Sequence, residues 1–174
     1  MTIVITAGHS NVDPGAPSQN KEIYEAHVVT DFRNMVAHYL RAAAADIRTD
    51  GDGNQNLSLN QAIKLIKPGY IAVEFHCNAF TNPSATGVET LSQPKNKGLG
   101  GKLCEAVANE LGIVNRGAKG EGSGQHSRLG FVGAGGILLE LFFISNPDDL
   151  RRYLEKKWLV ARAVANVLIG ADDA

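Results

Sequence analysis

The chain has 174 residues, of which 44% are hydrophobic, and its formal net charge at pH 7 is −1. These totals predict one compact domain over residues 1–174 and exclude the basic excess typical of proteins that bind nucleic acid or anionic membranes. No apolar run approaches the roughly 20 residues of a transmembrane helix, and no signal-peptide pattern follows Met1. We therefore expect a soluble monomer, made in the cytoplasm, without stable membrane association.

Apolar runs and helical periodicities alternate along the chain. The predicted strands are, in chain order, 2–6, 47–49, 71–76, 87–91 and 137–141. The predicted helices begin at 22, 58, 99 and 156 and end near 44, 66, 111 and 169. Pro147 is also typical of a helix start, with Asp148 and Asp149 in the first turn. Residues 115–128 form the longest stretch without a predicted element. This order predicts an α/β fold, a three-layer sandwich whose mostly parallel, twisted sheet is flanked by helices and binds ligands beyond the carboxyl ends of its strands.

Two of the predicted strands lead directly into a histidine. His9 follows the first strand, and His76 ends the strand at 71–76. Strand alternation places Glu74 on the same face as His76 and turns Cys77 toward the opposite face, where we expect a buried thiol. Zinc in catalytic sites takes three protein ligands, often imidazole and carboxylate, and keeps one position open for water. Two histidines and one carboxylate therefore predict a single Zn²⁺ ion per chain.

The carboxylate is expected near the start of the first helix. Glu25 precedes Val28 and Val29 by three and four residues, so it shares the helix face that packs on the sheet. Glu22 lies one turn earlier and remains the alternative ligand. Either glutamate would also stabilise the helix by its position near the N-terminus.

Glu140 is unusual because apolar residues surround it at 137–139 and 141–144. Burial raises the pKa of a carboxyl group toward the range that suits general acid–base catalysis. The alternative is a buried ion pair with Arg128 or another cation. His126 and Arg128 lie in the 115–128 stretch, where either side chain is a candidate for substrate contact.

Four segments resemble, in the right order, the zinc-dependent N-acetylmuramoyl-L-alanine amidases of the amidase-3 type. These are AGHS and DPGA at 7–10 and 13–16, the helix-starting Glu25, FHCNA and GVE at 75–79 and 87–89, and LELFFISN at 139–146. The resemblance implies that His9, Glu25 and His76 bind zinc and that Glu140 is the catalytic glutamate. Asn78 is a further candidate for substrate contact. Cys77 and Phe142 depart from the small residues usual in the family, and the change at Phe142 bears on the pose of Glu140.

The resemblance also implies the reaction. Members of the family cleave the peptidoglycan amide that joins the lactyl group of N-acetylmuramic acid to L-alanine. A single-domain form without wall-binding repeats resembles a phage endolysin, which accumulates in the host cytoplasm and acts on the wall or in the periplasm after a holin opens the membrane. A bacterial recycling or autolytic amidase is the alternative origin.

Two other functions stay open at this stage. A zinc peptidase that cuts within the stem peptide would use the same four side chains. A wall-binding module without catalysis would not need these four side chains to lie together.

Overall fold

A six-stranded sheet lies at the centre of the computed structural model, which describes residues 1–123 and 129–172. Its strands are β1 (Ile3–Ala7), β2 (Ile47–Thr49), β3 (Ile71–Asn78), β4 (Val88–Ser92), β5 (Asn115–Gly120) and β6 (Ile137–Phe143). They are arranged in the order β2-β1-β3-β6-β4-β5. The first four strands in this order are parallel, β4 runs antiparallel to β6, and β5 is parallel to β4. The predicted α/β fold with a mostly parallel sheet is confirmed.

Helices cover both faces of the sheet. They are α1 (Glu25–Ala42), α2 (Leu59–Ile63), α3 (Lys97–Leu111), α4 (Gly130–Gly133) and α5 (Pro147–Asp172), with short 3₁₀ turns at Pro94–Asn96 and Glu121–Ser123. The long helix α5 packs on both α1 and α3. Ile3 and Ile5 face the core beneath these three helices, whereas Val4 packs with Phe131 of α4 on the other face. This alternation is expected for a strand with two buried faces.

The pairing register places three polar residues in one row across the sheet. His76 on β3 is opposite Glu140 on β6, and Glu140 is opposite Glu89 on β4. A β-bulge follows His76, where the β3–β6 register shifts before Asn78. Bulges often redirect side chains beside active sites. The row therefore lies where the parallel strands end, at the predicted edge of the sheet.

Two helices differ in extent from the sequence-based expectation. The first helix begins at Glu25 instead of Glu22, since Tyr24 is still extended and acts as the N-cap. The helix start predicted at Pro147 is confirmed, and that helix continues without a break through the one predicted at 156–169; the Asn146 side chain accepts the N–H groups of Asp148 and Asp149 at its beginning. Asparagine as the N-cap and proline in the first turn are both common at helix starts such as that of α5.

The prediction that 115–128 lacks regular structure was wrong for its first six residues. Residues Asn115–Gly120 form β5, which pairs only with β4 at the edge of the sheet. No residue of β5 is fully buried, so the strand has no apolar alternation from which it could be recognised. His126 and Arg128 lie outside the described residues.

No helix in residues 1–123 and 129–172 is long and apolar enough to span a membrane.

Candidate active site

The three predicted metal ligands come together in one cluster. His9 follows β1, Glu25 is the first residue of α1 and His76 lies on β3, and their ligand atoms all lie within 4.8 Å of one another. Glu25 Oε1 is 3.1 Å from His76 Nδ1, and Glu25 Oε2 is 3.4 Å from His9 Nε2. Tetrahedral zinc with bonds of 2.0–2.2 Å separates its ligand atoms by about 3.3–3.6 Å. The cluster therefore fits a zinc ion in both donor type and spacing.

Geometry also distinguishes between the two candidate glutamates. Glu22 is exposed and accepts a hydrogen bond from Asn20 Nδ2 at 2.7 Å. Glu25 is buried, and its two oxygens accept the N–H groups of Cys77 at 2.8 Å and Ala16 at 3.1 Å. Burial raises the pKa of Glu25, but the hydrogen bond and charge of His76 and the charge of His9 outweigh it and leave the pKa below its ordinary value. Glu25 is thus held in its ionised form, which a metal ligand requires.

Two glycines make room for the ligand side chains. A Cβ atom on Gly8 would lie 2.1 Å from the His76 ring. Gly15 has a φ of +68°, and a Cβ atom there would lie 2.7 Å from Glu25 Oε2 and 2.8 Å from the His9 ring. Both positions exclude any larger side chain, and the φ of Gly15 also favours glycine.

The outer nitrogen of His76 has a carboxylate partner that sequence reasoning missed. His76 Nε2 is 3.1 Å from Glu74 Oε1, and Glu74 Oε2 accepts the hydroxyl of Thr6 at 3.3 Å. Burial lowers the pKa of His76, but the hydrogen bonds to Glu25 and Glu74, with the charge of Glu140, outweigh it and raise the pKa well above its ordinary value. The pocket thus stabilises positive charge at this ring. The available signal was a glutamate two residues before His76 in an otherwise apolar strand.

A buried network fixes the backbone that carries His9. Asn56 Nδ2 donates to the carbonyls of Ala7 at 2.9 Å and His9 at 2.7 Å. Asp50 accepts the N–H of Ala7 at 3.1 Å and pairs at 2.9 Å with Arg33, which is fully buried. These hydrogen bonds fix the backbone from which the His9 side chain extends into the cluster. Its Nδ1 atom, 3.2 Å from Asp13 Oδ2, has no hydrogen-bond partner among the described residues.

Glu140 lies beside the ligand cluster, opposite His76 in the sheet register. Its Oε2 atom is buried and has no hydrogen-bond partner in the described part of the chain. Burial raises the pKa of Glu140 to about 7, opposed by the charge of His76 and assisted by the charges of Glu25 and Glu89. The described residues contain no ion pair to Glu140, and the predicted alternative partner, Arg128, lies outside them. A carboxyl group with a pKa near neutral pH can both accept and return a proton.

The sequence matches the family model for N-acetylmuramoyl-L-alanine amidase over residues 3–169. The chain belongs to the amidase-3 family. It is an N-acetylmuramoyl-L-alanine amidase, and its substrate is peptidoglycan. No curated protein sequence matches the chain.

Solved structures agree with this family and fold. A candidate N-acetylmuramoyl-L-alanine amidase from Neisseria meningitidis is 45% identical, with a TM-score of 0.90 over 99% of this chain and 96% of that one. The amidase AmiC2 of Nostoc punctiforme is 20% identical, with a TM-score of 0.84 over 100% and 98% of the two chains. The catalytic domain of the CD27L endolysin, which targets Clostridia difficile, is 21% identical, with a TM-score of 0.77 over 98% and 97%. The last two similarities show the fold alone.

The two departures from the family pattern point away from the amidase site. Cys77 and Phe142 both lie in the core beneath α1, α3 and α5, and the Phe142 ring stacks on Tyr153 with centroids 4.8 Å apart. Glu140 faces the opposite side of the sheet, into the cavity. The aromatic residue at 142 therefore packs beneath the strand, on the face opposite Glu140.

An open cavity of about 1000 Å³ is lined by the cluster of His9, Glu25 and His76 and by Glu140. Asn78, a predicted substrate contact, lines this cavity, and its Nδ2 donates to Glu89 Oε1 at 3.1 Å. Arg116 and Lys119 of β5 line it as well. Sequence reasoning missed both cations because it placed them in an irregular loop.

Proposed function

We propose that the amidase is zinc-dependent and cleaves the bond between the lactyl group of N-acetylmuramic acid and L-alanine, with His9, Glu25 and His76 as zinc ligands and Glu140 as the catalytic acid–base. The observation that carries this proposal is the buried oxygen of Glu140, which has no hydrogen-bond partner in residues 1–123 and 129–172 and lies beside a cluster of three zinc-type ligands.

The residues divide the chemistry between them. When bound, zinc acidifies water toward a pKa of about 7 and polarises the scissile carbonyl. Glu140 takes a proton from the attacking water and passes it to the nitrogen of L-alanine as the C–N bond breaks. Its pKa of about 7 suits both transfers near neutral pH. Glu74, paired with Nε2 of His76, holds the ring in one orientation with Nδ1 toward the metal site.

Product analysis distinguishes this reaction from its closest rival. Purified muropeptides are incubated with the zinc-loaded protein, and the new termini are identified by mass spectrometry. Release of a stem peptide with a free N-terminal L-alanine supports the amidase. Products that keep the sugar–alanine linkage but end within the stem peptide would support a zinc peptidase.

The finer expectations from the sequence also belong to this proposal. We infer that residues 1–174 form a single catalytic domain and a monomer, which light scattering of the purified protein tests directly. We also propose an endolysin role, with which the peptidoglycan amidase activity of the family is compatible. Co-expression with a holin should cause abrupt lysis that neither protein causes alone. Equal lysis without the holin would favour an autolytic bacterial enzyme.

A further inference from the structure

Two cationic side chains lie together on one wall of the cavity. Among the described residues that line the cavity, Arg116 and Lys119 are the only arginine and lysine. Both lie on β5, the edge strand beyond β4. The described lining also contains five acidic residues, of which only Glu89 pairs with these cations; the five are Asp13, Glu25, Glu74, Glu89 and Glu140.

A single carboxylate holds the two cations in place. Glu89 Oε2 accepts Arg116 Nε at 2.7 Å and Lys119 Nζ at 2.6 Å, and its side chain is 7% exposed. Burial raises the pKa of Glu89, but the hydrogen bonds from Lys119 and Arg116 outweigh it and keep the pKa below its ordinary value. Two positive charges on one negative charge leave an excess of one positive charge on this wall.

Both cations retain donors that Glu89 does not use. Beyond Nε, Arg116 makes only a 3.5 Å contact from Nη1 to the carbonyl of Thr86 among described residues, and its guanidinium lies over the Phe143 ring at 5.1 Å. Lys119 donates one of its three N–H groups to Glu89. Their side chains are 37% and 30% exposed. The wall can therefore bind a second carboxylate through charge-assisted hydrogen bonds.

The wall formed by Arg116 and Lys119 lies close to Glu140, where the scissile bond of the substrate would bind. Glu89 is directly opposite Glu140 in the β4–β6 register, and β5 lies one strand further. Neighbouring strands are about 4.8 Å apart, so β5 is roughly 10 Å from the strand of Glu140. A peptide advances at most about 3.6 Å per residue. Carboxylates one or two residues past L-alanine are thus within reach of the long side chains on this wall.

The other end of the cavity has a different character. Val12, Leu57 and Leu59 line it and are 94%, 39% and 51% exposed. Val12 follows β1, Leu57 precedes α2 and Leu59 is the first residue of α2, and β1 lies on the side of β3 away from β5. A partly apolar surface whose described lining has no lysine or arginine suits the neutral glycan better than an anionic peptide.

We propose that Arg116 and Lys119, positioned by Glu89, form a subsite for a free carboxylate on the peptide side of the scissile bond. The subsite selects stem peptides whose second residue carries a free α-carboxylate over those in which it is amidated. This inference rests on the proposed function, since it assigns the two ends of the cavity to the two sides of the muramoyl–alanine amide.

Two matched substrates test the subsite in the unmodified enzyme. They are the γ-methylamides of N-acetylmuramoyl-L-alanyl-D-glutamate and of its D-isoglutamine counterpart, so the α-carboxylate is the only carboxylate of the peptide, free in one substrate and amidated in the other. We expect kcat/KM to be at least about 10-fold higher for the acid, as an added charged hydrogen bond predicts. Equal rates would overturn the subsite while leaving the amidase intact. Cleavage of neither substrate at L-alanine would instead count against the proposed function.

Substitutions test whether Arg116 and Lys119 cause the preference for the free carboxylate. Arg116→Gln with Lys119→Gln should bring the ratio for the two substrates close to one, whereas Lys102→Gln, which removes an exposed lysine of α3 outside the cavity, should preserve it. Preservation of the ratio in the double variant would overturn the assignment.

Glu89→Gln provides a second test of the subsite if the double variant does not fold. It keeps the shape and acceptor oxygen of residue 89 but frees one more positive charge, so the preference for the acid should rise. An unchanged or smaller preference would contradict the proposal.

Discussion

Glu74 Oε1 lies 3.1 Å from Nε2 of His76, on the opposite side of the ring from the nitrogen that faces Glu25. Carboxylates in this outer position fix the orientation of a metal-binding histidine and raise its basicity. The chain thus holds His76 between two buried carboxylates, one as a candidate ligand and one as its support.

Replacing Glu74 by glutamine should weaken zinc binding without removing a ligand. The amide still fills the space but loses the negative charge that favours metal on the far nitrogen, and such changes cost roughly 10–100-fold in affinity. Competition with a zinc-sensitive chelator gives the dissociation constant. Glu105→Gln, an exposed change on α3, is the matched control. An identical dissociation constant for both variants would reject the supporting role.

Replacing Glu140 by glutamine should separate chemistry from metal binding. The substitution removes the proton acceptor but none of the three ligands, so we expect kcat to fall by about 10²–10⁴-fold with one zinc per chain retained. Muropeptide turnover and elemental analysis of the same preparation measure the two quantities. Full activity would show that another group moves the proton, and loss of zinc would show that Glu140 also holds the metal.

The position of Gly8 gives a steric test of the cluster. In Gly8→Ala the new methyl group would lie 2.1 Å from the His76 ring, so the ring must move away from Glu25. Zinc affinity should fall sharply, whereas Gly101→Ala, where a Cβ atom meets open space, should leave it unchanged. Circular dichroism of both metal-free variants checks that the fold survives. Normal zinc binding by Gly8→Ala would show that the ring is free to occupy another position.

Local patterns were enough to predict much of this site. His9 and His76 follow apolar runs, and Glu140 interrupts one, so each is visible within a few residues of sequence. Glu25 could be favoured over Glu22 because helical spacing links it to the apolar face of α1. These signals need no knowledge of which strands are neighbours.

The remaining features depend on contacts between distant segments. Glu74 is only two residues from His76, but its contact requires the ring orientation in which Nδ1 faces the distant Glu25. The cationic wall requires β5 to pair with β4 in one register, so that Arg116 and Lys119 meet Glu89 across 27 and 30 positions of sequence. An edge strand without an apolar face gives no local sign of that pairing.

The pairing of Glu89 with two cations should make stability depend on acid pH. Its folded-state pKa is lowered from the model-peptide value of 4.5, so its contribution is complete above that value and is lost as the pH falls through the lower folded-state pKa. Glu89→Gln removes this contribution. The difference in unfolding free energy between the metal-free original and variant should therefore be largest at pH 6–7 and shrink below about pH 4.5. Urea denaturation at a series of pH values measures it, with Glu105→Gln as the exposed control. A difference that stays constant from pH 7 to pH 3.5 would mean that Glu89 is not held in its charged form by Arg116 and Lys119.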